Sequence, residues 1–499
     1  MQRRDFLAAA ASAGLAIPAR AFEAEGGRRN PVLLLDRPVS TLDPHGVLDW
    51  PALMVRDALY DALARHEGDP AIVVPNLAEG WTVSEDGLTW TFKLAANARF
   101  QDDSPVDAEA ARISWVRALS QPGTAWMLRD HLLADGVTAP DAATLRLVLT
   151  RPMPALPGYL PHIAILNPRQ VPVDDAGWLA ARSAGSGPYR LRQQDADGLV
   201  LEAVADHWRG WPMPAADRPA AVVLRVAPDP AARRAAFAGG QADLTDDDVG
   251  PDAPGVVTLR QRGLTGLVLL MNTASGPTAD LNVRRALAYA FPYAPDAPSS
   301  PFPPGTPGAQ DVPEMPRQDL DIARQYAAKL PDGGHALEFA HVVGDEAAAA
   351  AGQALAAAAA PLGLRLTIVP LTWAEMFARG AKPEGSPALA ALRVTPCSAD
   401  PDAVASLFTS AAAGHPWGMH HLRDDVLDKL AADARAEADG DRRMAVYADV
   451  QRLIVATQPA IFAGIVERRW TYRGLRGVAP SPVRGGAAVD LWRLHVLPG

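Results

Sequence analysis

The chain has 499 residues, 48% of them hydrophobic, so at roughly 150 residues per domain it is expected to fold as about three domains with more than one core. Lys and Arg total 47 against 57 Asp and Glu, and the net charge of -10 argues against nucleic acid or an anionic membrane surface as the main partner. A single cysteine, Cys397, excludes an intrachain disulfide and a multi-cysteine zinc site.

Residues 1–21 read as an export signal: Arg3-Arg4 is basic, Ala8–Ile17 is mildly apolar and Ala19-Arg20-Ala21 fits a cleavage site, so the mature chain is expected to start at Phe22. The segment Gln2–Ala8 resembles the twin-arginine consensus, departing from it at Gln2 and Ala8, with the general secretory route as the alternative. No cysteine follows the cleavage site, so no lipid anchor is expected, and no later run reaches the ~18 apolar residues of a membrane span.

Downstream, Pro31–Leu35 is a compact apolar run that predicts a buried strand, and three- and four-residue apolar spacings predict a helix over 52–64. Trp81–Val83, the Asp86-Gly87 turn and alternating Leu88, Trp90, Phe92 and Leu94 predict a β-hairpin with one apolar face. Asp107 is the predicted N-cap of a helix carrying Ile113, Val116 and Leu119. Strands follow at 144–149, after the glycine turn at 185–188, at 199–203 and at 221–226, then a helix over 231–238 and a short strand over 242–244. A second block begins near Gly266 with a strand over 267–271 and a helix over 283–290. Proline-rich irregular chain is expected over 292–316, helices over 322–330 and 346–362, a strand over 364–369, and helices over 422–438 and 443–457. Alternating strands and helices predict an α/β fold with a mixed or parallel sheet.

Taken in order, Thr41–Pro44, Val74–Trp81, Phe100–Ala108, Gly185–Tyr189, Gly240–Asp243, Met271-Asn272, Asp280 with Val283–Ala290, Pro303–Gly308 and Ala399–Asp402 resemble the extracytoplasmic solute-binding proteins of ABC transporters, family 5. That family includes dipeptide-, oligopeptide- and nickel-binding members. Each segment alone is weak; their collinearity carries the resemblance. It implies a two-lobed periplasmic-binding-protein-like clamp of type II with an extra subdomain and a discontinuous lobe I. Lobe I is then expected at 22–55, 184–262 and 477–499, the subdomain at 56–183 and lobe II at 263–476, with hinges near Leu264 and Tyr472. The implied protein is a periplasmic monomer that captures a small solute, peptide-like or another organic molecule, and hands it to an ABC permease and ATPase complex. Nickel or metallophore binding, and a sensor or assembly role, are the alternatives.

Two departures stand out. Asp102-Asp103 replaces the family's Asp-Gly, with Ala110 where an acid would complete a capping box, and Phe291–Asp296 replaces the start of a further helix.

An enzyme is not expected: no nucleophile elbow, His-Glu-x-x-His, P-loop or dinucleotide fingerprint occurs, and no cofactor is implied. The run Asp246–Asp248 reads as solvated surface rather than a cation site. His415, His420 and His421 lie within seven residues; the nickel-binding branch carries a histidine in the loop after the Asp-Pro motif, and His415 falls in that region, although a polar loop before the next helix is the simpler reading. Trp50, Trp81, Trp90, Trp115 and Trp208 are expected in cores, whereas Trp373 and Trp417 are candidates for the cleft wall. By the resemblance, Arg393, Thr395, Cys397 and Ser398 border the ligand and Asp400 is a turn residue. Peptide-binding relatives place an aspartate three residues before the Asp-Pro motif, against the peptide ammonium; here that position is Cys397. The expected solute is therefore neutral, anionic or without an α-ammonium.

Overall fold

A computed structural model describes residues 30–497 apart from 47–48, 69–70, 122, 172–175, 248, 250–254, 332–334, 416, 482, 484–485 and 487. The export signal, its cleavage site and the twin-arginine segment lie outside the described residues.

The strands are β1 (Val32–Leu35), β2 (Ala64–Glu67), β3 (Ile72–Pro75), β4 (Ala78–Val83), β5 (Thr89–Leu94), β6 (Leu132–Asp141), β7 (Thr144–Leu149), β8 (Tyr189–Asp195), β9 (Gly198–Ala203), β10 (Ala221–Val226), β11 (Leu244–Thr245), β12 (Val256–Met271), β13 (His335–Val342), β14 (Leu364–Leu371), β15 (Leu389–Val394), β16 (Ala460–Arg473), β17 (Leu475–Arg476) and β18 (His495–Val496). Ten of them form one sheet in the order β14-β13-β15-β12-β16-β11-β1-β10-β9-β8. At one end β10, β1 and β11 run parallel, and at the other β14, β13 and β15 run parallel. Between them β12 and β16 form a long antiparallel ribbon from Val256↔Arg473 to Leu270↔Ala460. The ribbon serves both lobes of the clamp: Thr471-Tyr472 pair with β11, and Gly266–Met271 pair with β15. Its register slips between Arg262 and Gly266, beside Leu264; such a bulge increases local bend and twist.

β1 is an unbroken Val-Leu-Leu-Leu run because it lies inside the sheet, with Leu33 and Leu35 in the main core on one face and Leu34 packing with Ala236 and Ala242 on the other. The hairpin β4–β5 forms as predicted, within a four-stranded sheet β4-β5-β7-β6. Trp90, Phe92 and Leu94 alternate into a core closed by Trp115 of the Ala108–Ala118 helix. Asp107 caps that helix, accepting from the Ala110 N–H at 2.8 Å. Trp90 and Trp115 are fully buried, and Trp50, Trp81 and Trp208 pack part-buried against the cores.

The helix expected over 52–64 spans Trp50–Leu59 instead. Asp61 stops it: its buried carboxylate accepts from Ser186 Oγ at 3.1 Å, Trp208 Nε1 at 2.9 Å and Asn76 Nδ2 at 3.0 Å, which demands extended chain. The Gly185-Ser-Gly187 turn runs against this helix end, and a Cβ at Gly185 would lie 2.0 Å from the Leu59 carbonyl oxygen. The strand expected over 267–271 is the tail of sixteen-residue β12. Between the Leu281–Ala290 helix and the Leu320–Ala327 helix the described chain is irregular apart from turns, so the helix usual in the family after Ala290 is missing here. Phe291 and Tyr293 fill that place edge-to-face at 4.9 Å.

A cleft between two sheet edges

In open α/β sheets, ligands lie beyond the carboxyl ends of the strands. On one side of the ribbon those ends supply Asp36 and Arg37 after β1, and Asp246 and Asp247 after β11. The Pro230–Ala238 helix after β10 adds Arg233. The other side supplies Asp345 after β13, Trp373 after β14, and Arg393 and Thr395 at the end of β15. Arg393 is within electrostatic reach of Arg37 and Asp246, so the two edges face each other. Arg468 reaches in from the ribbon, within the same reach of Arg37, Asp36 and Arg393.

Three of the four arginines are closed by two-point carboxylate pairs. Arg393 binds Asp345 at 2.7 and 2.9 Å, Arg233 binds Asp247 at 2.6 and 3.0 Å, and Arg37 binds Asp36 at 3.0 and 2.8 Å. Burial works against the Asp345 charge, yet the Arg393 guanidinium holds its carboxyl below the ordinary range. The fourth pair is looser. Arg468 reaches Asp246 Oδ2 at 3.3 Å, while Asp246 Oδ1 and Arg468 Nε are buried without a hydrogen-bond partner. Burial raises the Asp246 carboxyl and lowers Arg468 from their ordinary values. The solvated acidic run expected at 246–248 is thus overturned at Asp246, whose side chain is 7% exposed.

At the end of β15 and in the bend that follows it, Arg393, Thr395 and Cys397 are half-buried, and Val394, Pro396 and Ser398 between them are buried. Thr395 Oγ1 meets Thr265 Oγ1 of the β12 bulge at 2.8 Å. Cys397 and Ser398 stand against the 158–162 segment: His162 Nε2 lies 2.6 Å from the Cys397 carbonyl oxygen, and a Cβ on Gly158 would come within 2.7 Å of Ser398 Oγ. Beside them Tyr159 donates to Asp402 Oδ2 at 2.7 Å, and Arg435 lies 3.1 Å from His131 Nε2. Asp400 is a structural residue as expected, capping the Pro401–Ala405 helix and taking both arms of Arg443 at 2.7 and 3.0 Å.

Trp373, Phe377 and Trp417 form one cluster, with centroids 5.0–6.0 Å apart, half-buried on the core of the second lobe. His415 stacks obliquely on Trp126 of the short Ala125–Leu128 helix at 5.2 Å. His420 is fully buried with both ring nitrogens engaged, Nε2 by the Leu407 carbonyl at 2.8 Å and Nδ1 by the Leu422 N–H at 2.9 Å. The three histidines therefore do not converge, and no group of three His, Cys, Asp or Glu able to hold a metal occurs among the described residues. No helix among the described residues is long and apolar enough to cross a membrane.

A two-lobed clamp with a charged crevice between parallel-sheet edges defines a solute-binding protein of the periplasmic-binding class. The chain belongs to the bacterial extracellular solute-binding proteins, family 5, whose middle-region model matches residues 73–415. It is 29% identical over 280 residues to the nickel-binding periplasmic protein of Escherichia coli, a match covering 50% of this chain and 49% of that one. It is 26% identical over 445 residues to the probable D,D-dipeptide-binding periplasmic protein of the same organism, covering 83% and 84%. Among solved structures, the dipeptide-binding protein of Pseudoalteromonas sp. SM9913 in complex with Met-Leu superposes with a TM-score of 0.84 at 16% identity, covering 94% of this chain and all of that one. An agropinic acid complex of AgaA from A. tumefaciens R10 gives 0.81 at 19% identity, covering 94% and 99%.

Asp36, Arg37, Arg468 and Asp345 escaped the sequence reading, and Asp246 entered it only as solvated surface. The available signal was position: each follows or interrupts a strand on the cleft side.

Proposed function

We propose that this protein is the periplasmic receptor of an ABC importer, exported with the leader at 1–21, binding a small organic solute between its lobes without transforming it. Lobe I comprises 22–55, 184–262 and 477–499, the subdomain 56–183, and lobe II 263–476. The observation that carries the reading is the shared β12–β16 ribbon, with charged carboxyl-end edges facing each other on either side of it. The lobes close about the register slip near Leu264 and about Tyr472, because solute touching both lobes favours the closed form. Mass spectrometry of protein taken from the native periplasm identifies the solute that copurifies. Small-angle scattering with and without it then tests closure: a smaller radius of gyration on binding is expected, and an unchanged radius refutes the clamp.

Arg393, Thr395, Cys397, Ser398, Trp373, Trp417 and His415 border the solute in this reading. The solute brings no α-ammonium to Cys397, because the two carboxylates of the Asp-Pro motif beside it, Asp400 and Asp402, are already engaged. Asp400 is taken by Arg443, and Asp402 is fully buried on Arg435, Tyr159 and Tyr447. A buried ammonium without its carboxylate keeps its desolvation cost, about 3–5 kcal/mol. Calorimetry against di- to pentapeptides should be silent for wild type and show binding after Cys397→Asp; submicromolar wild-type binding abolished by N-acetylation of the peptide refutes this.

A further inference from the structure

We propose that Asp246 and Arg468 together select the solute by an uncharged amide-type group, one that offers an N–H donor beside a carbonyl acceptor. The inference rests on the solute-binding reading above and assigns the group that the cleft recognises.

The hydrogen-bonding balance of the cleft points there. Arg37, Arg233 and Arg393 each have a two-point carboxylate partner, so their strongest interactions are already satisfied. Arg468 and Asp246 touch at a single point, 3.3 Å long, and each keeps a buried polar atom without a hydrogen bond, Nε on one and Oδ1 on the other. The nearest other cation to Asp246 Oδ1 is Arg233 Nε, 4.0 Å away, which is spent on Asp247. Arg393 of the far edge is in electrostatic reach of both groups yet bonded to neither. One acceptor and one donor therefore stay buried without a bond, just after β11 and on the adjacent β16, within electrostatic reach of Arg393 on the opposite edge.

Their charges decide what fits. The Asp246 side chain is 7% exposed and that of Arg468 20%, and as a pair they are neutral. A carboxylate bound to Arg468 would press on Asp246, and an ammonium bound to Asp246 would press on Arg468, leaving an unbalanced charge out of water. An amide gives N–H to Oδ1 and C=O to Nε, completing both without changing the net charge. A solute rich in amides, or any molecule presenting one at this depth, is the chemical class expected.

Three isosteric probes separate the possibilities: acetamide, acetate and acetamidinium, which share shape and differ in charge. Saturation-transfer NMR on the ligand-free full chain should rank acetamide first, by roughly tenfold in apparent affinity, the worth of one or two net hydrogen bonds. Asp246→Asn leaves Arg468 as the unbalanced charge and should switch the preference to acetate. Arg468→Gln should switch it to acetamidinium. Thermal melts of both variants establish that they fold, and the wild-type ranking stands as a test without them. A wild-type preference for either ion, a ranking unchanged in both folded variants, or no binding of any probe overturns the proposal. Failure of the wider reading shows elsewhere: compaction by a copurified solute keeps the clamp even where the probe ranking fails, and its absence removes the clamp.

Discussion

Tyr159→Phe separates closure of the clamp from its stability. Under the proposed division Tyr159 belongs to the subdomain and Asp402 to lobe II; the bond between them is 2.7 Å long, with both side chains almost wholly out of water. Two other donors stay with Asp402, Arg435 Nε at 2.8 Å and Tyr447 Oη at 3.3 Å, both on Oδ1, so removing the Tyr159 hydroxyl leaves the charge paired with Arg435 while Oδ2 loses its hydrogen bond. What is lost is one hydrogen bond to a charged acceptor, about 1.5–3 kcal/mol in the closed form. On the proposed closure the two groups separate in the open form and bond to water, so the full difference falls on the closing equilibrium. Where the open form predominates without solute, apparent affinity should weaken by about 10- to 100-fold. Calorimetry with the solute recovered from native protein reads this directly. Tyr447→Phe is the control: it removes a donor from the same carboxylate but within one lobe, so thermal stability should fall while affinity holds. Unchanged affinity in Tyr159→Phe, or an equal loss in Tyr447→Phe, would show that this contact takes no part in closure.

Asp103 sits at φ +65°, a left-handed position where the family commonly has glycine, so Asp103→Gly should stabilise the chain by about 1 kcal/mol in a denaturant titration. Arg117 grips Asp43 at 2.9 and 2.6 Å with both side chains buried; Arg117→Ala strands that carboxylate and should cost about 3–5 kcal/mol, read as a lower thermal midpoint. Burial lowers His420 to about 4 against 6.5 for a free histidine, so the unfolded chain takes up a proton that the folded chain refuses. Its contribution is complete above about pH 6.5 and is lost as pH falls toward 4, on the order of 3 kcal/mol. Stability measured across that window should flatten in His420→Gln, and an unchanged slope would count against the burial argument.

Local chemistry was legible wherever it alone decides structure. The β4–β5 hairpin needs only a turn and a period of two, and β1 needs only an apolar run, so both were readable. The family motifs also acquire physical causes: Asp43 of Thr41–Pro44 anchors Arg117, Gly185 admits the Leu59 carbonyl, and Asp400 caps a helix while holding Arg443. The ribbon was hidden for a reason that matters to function. β16 carries Glu467-Arg468-Arg469 in its middle and β12 carries Arg260 and Arg262, because where they pass between the lobes no core covers them. A strand that is apolar at both ends and charged in the centre does not match a half-buried or fully buried pattern.

The site divided along the same line. The family resemblance named Arg393, Thr395 and Cys397, but the partner of each is set by a distant segment: Asp345 for Arg393, Thr265 for Thr395, His162 for the Cys397 carbonyl. Asp246 was misread for that reason. Three consecutive aspartates look solvated, because their sum of charge is visible in sequence and their burial is not. Once β11 is placed between β1 and β16, the first of the three comes to lie beside Arg468 from a strand more than two hundred residues later. Burying a carboxylate is costly unless it is fully bonded, and this one is only half bonded. That deficit, more than the charge itself, marks Asp246 as a group awaiting a partner from outside the chain.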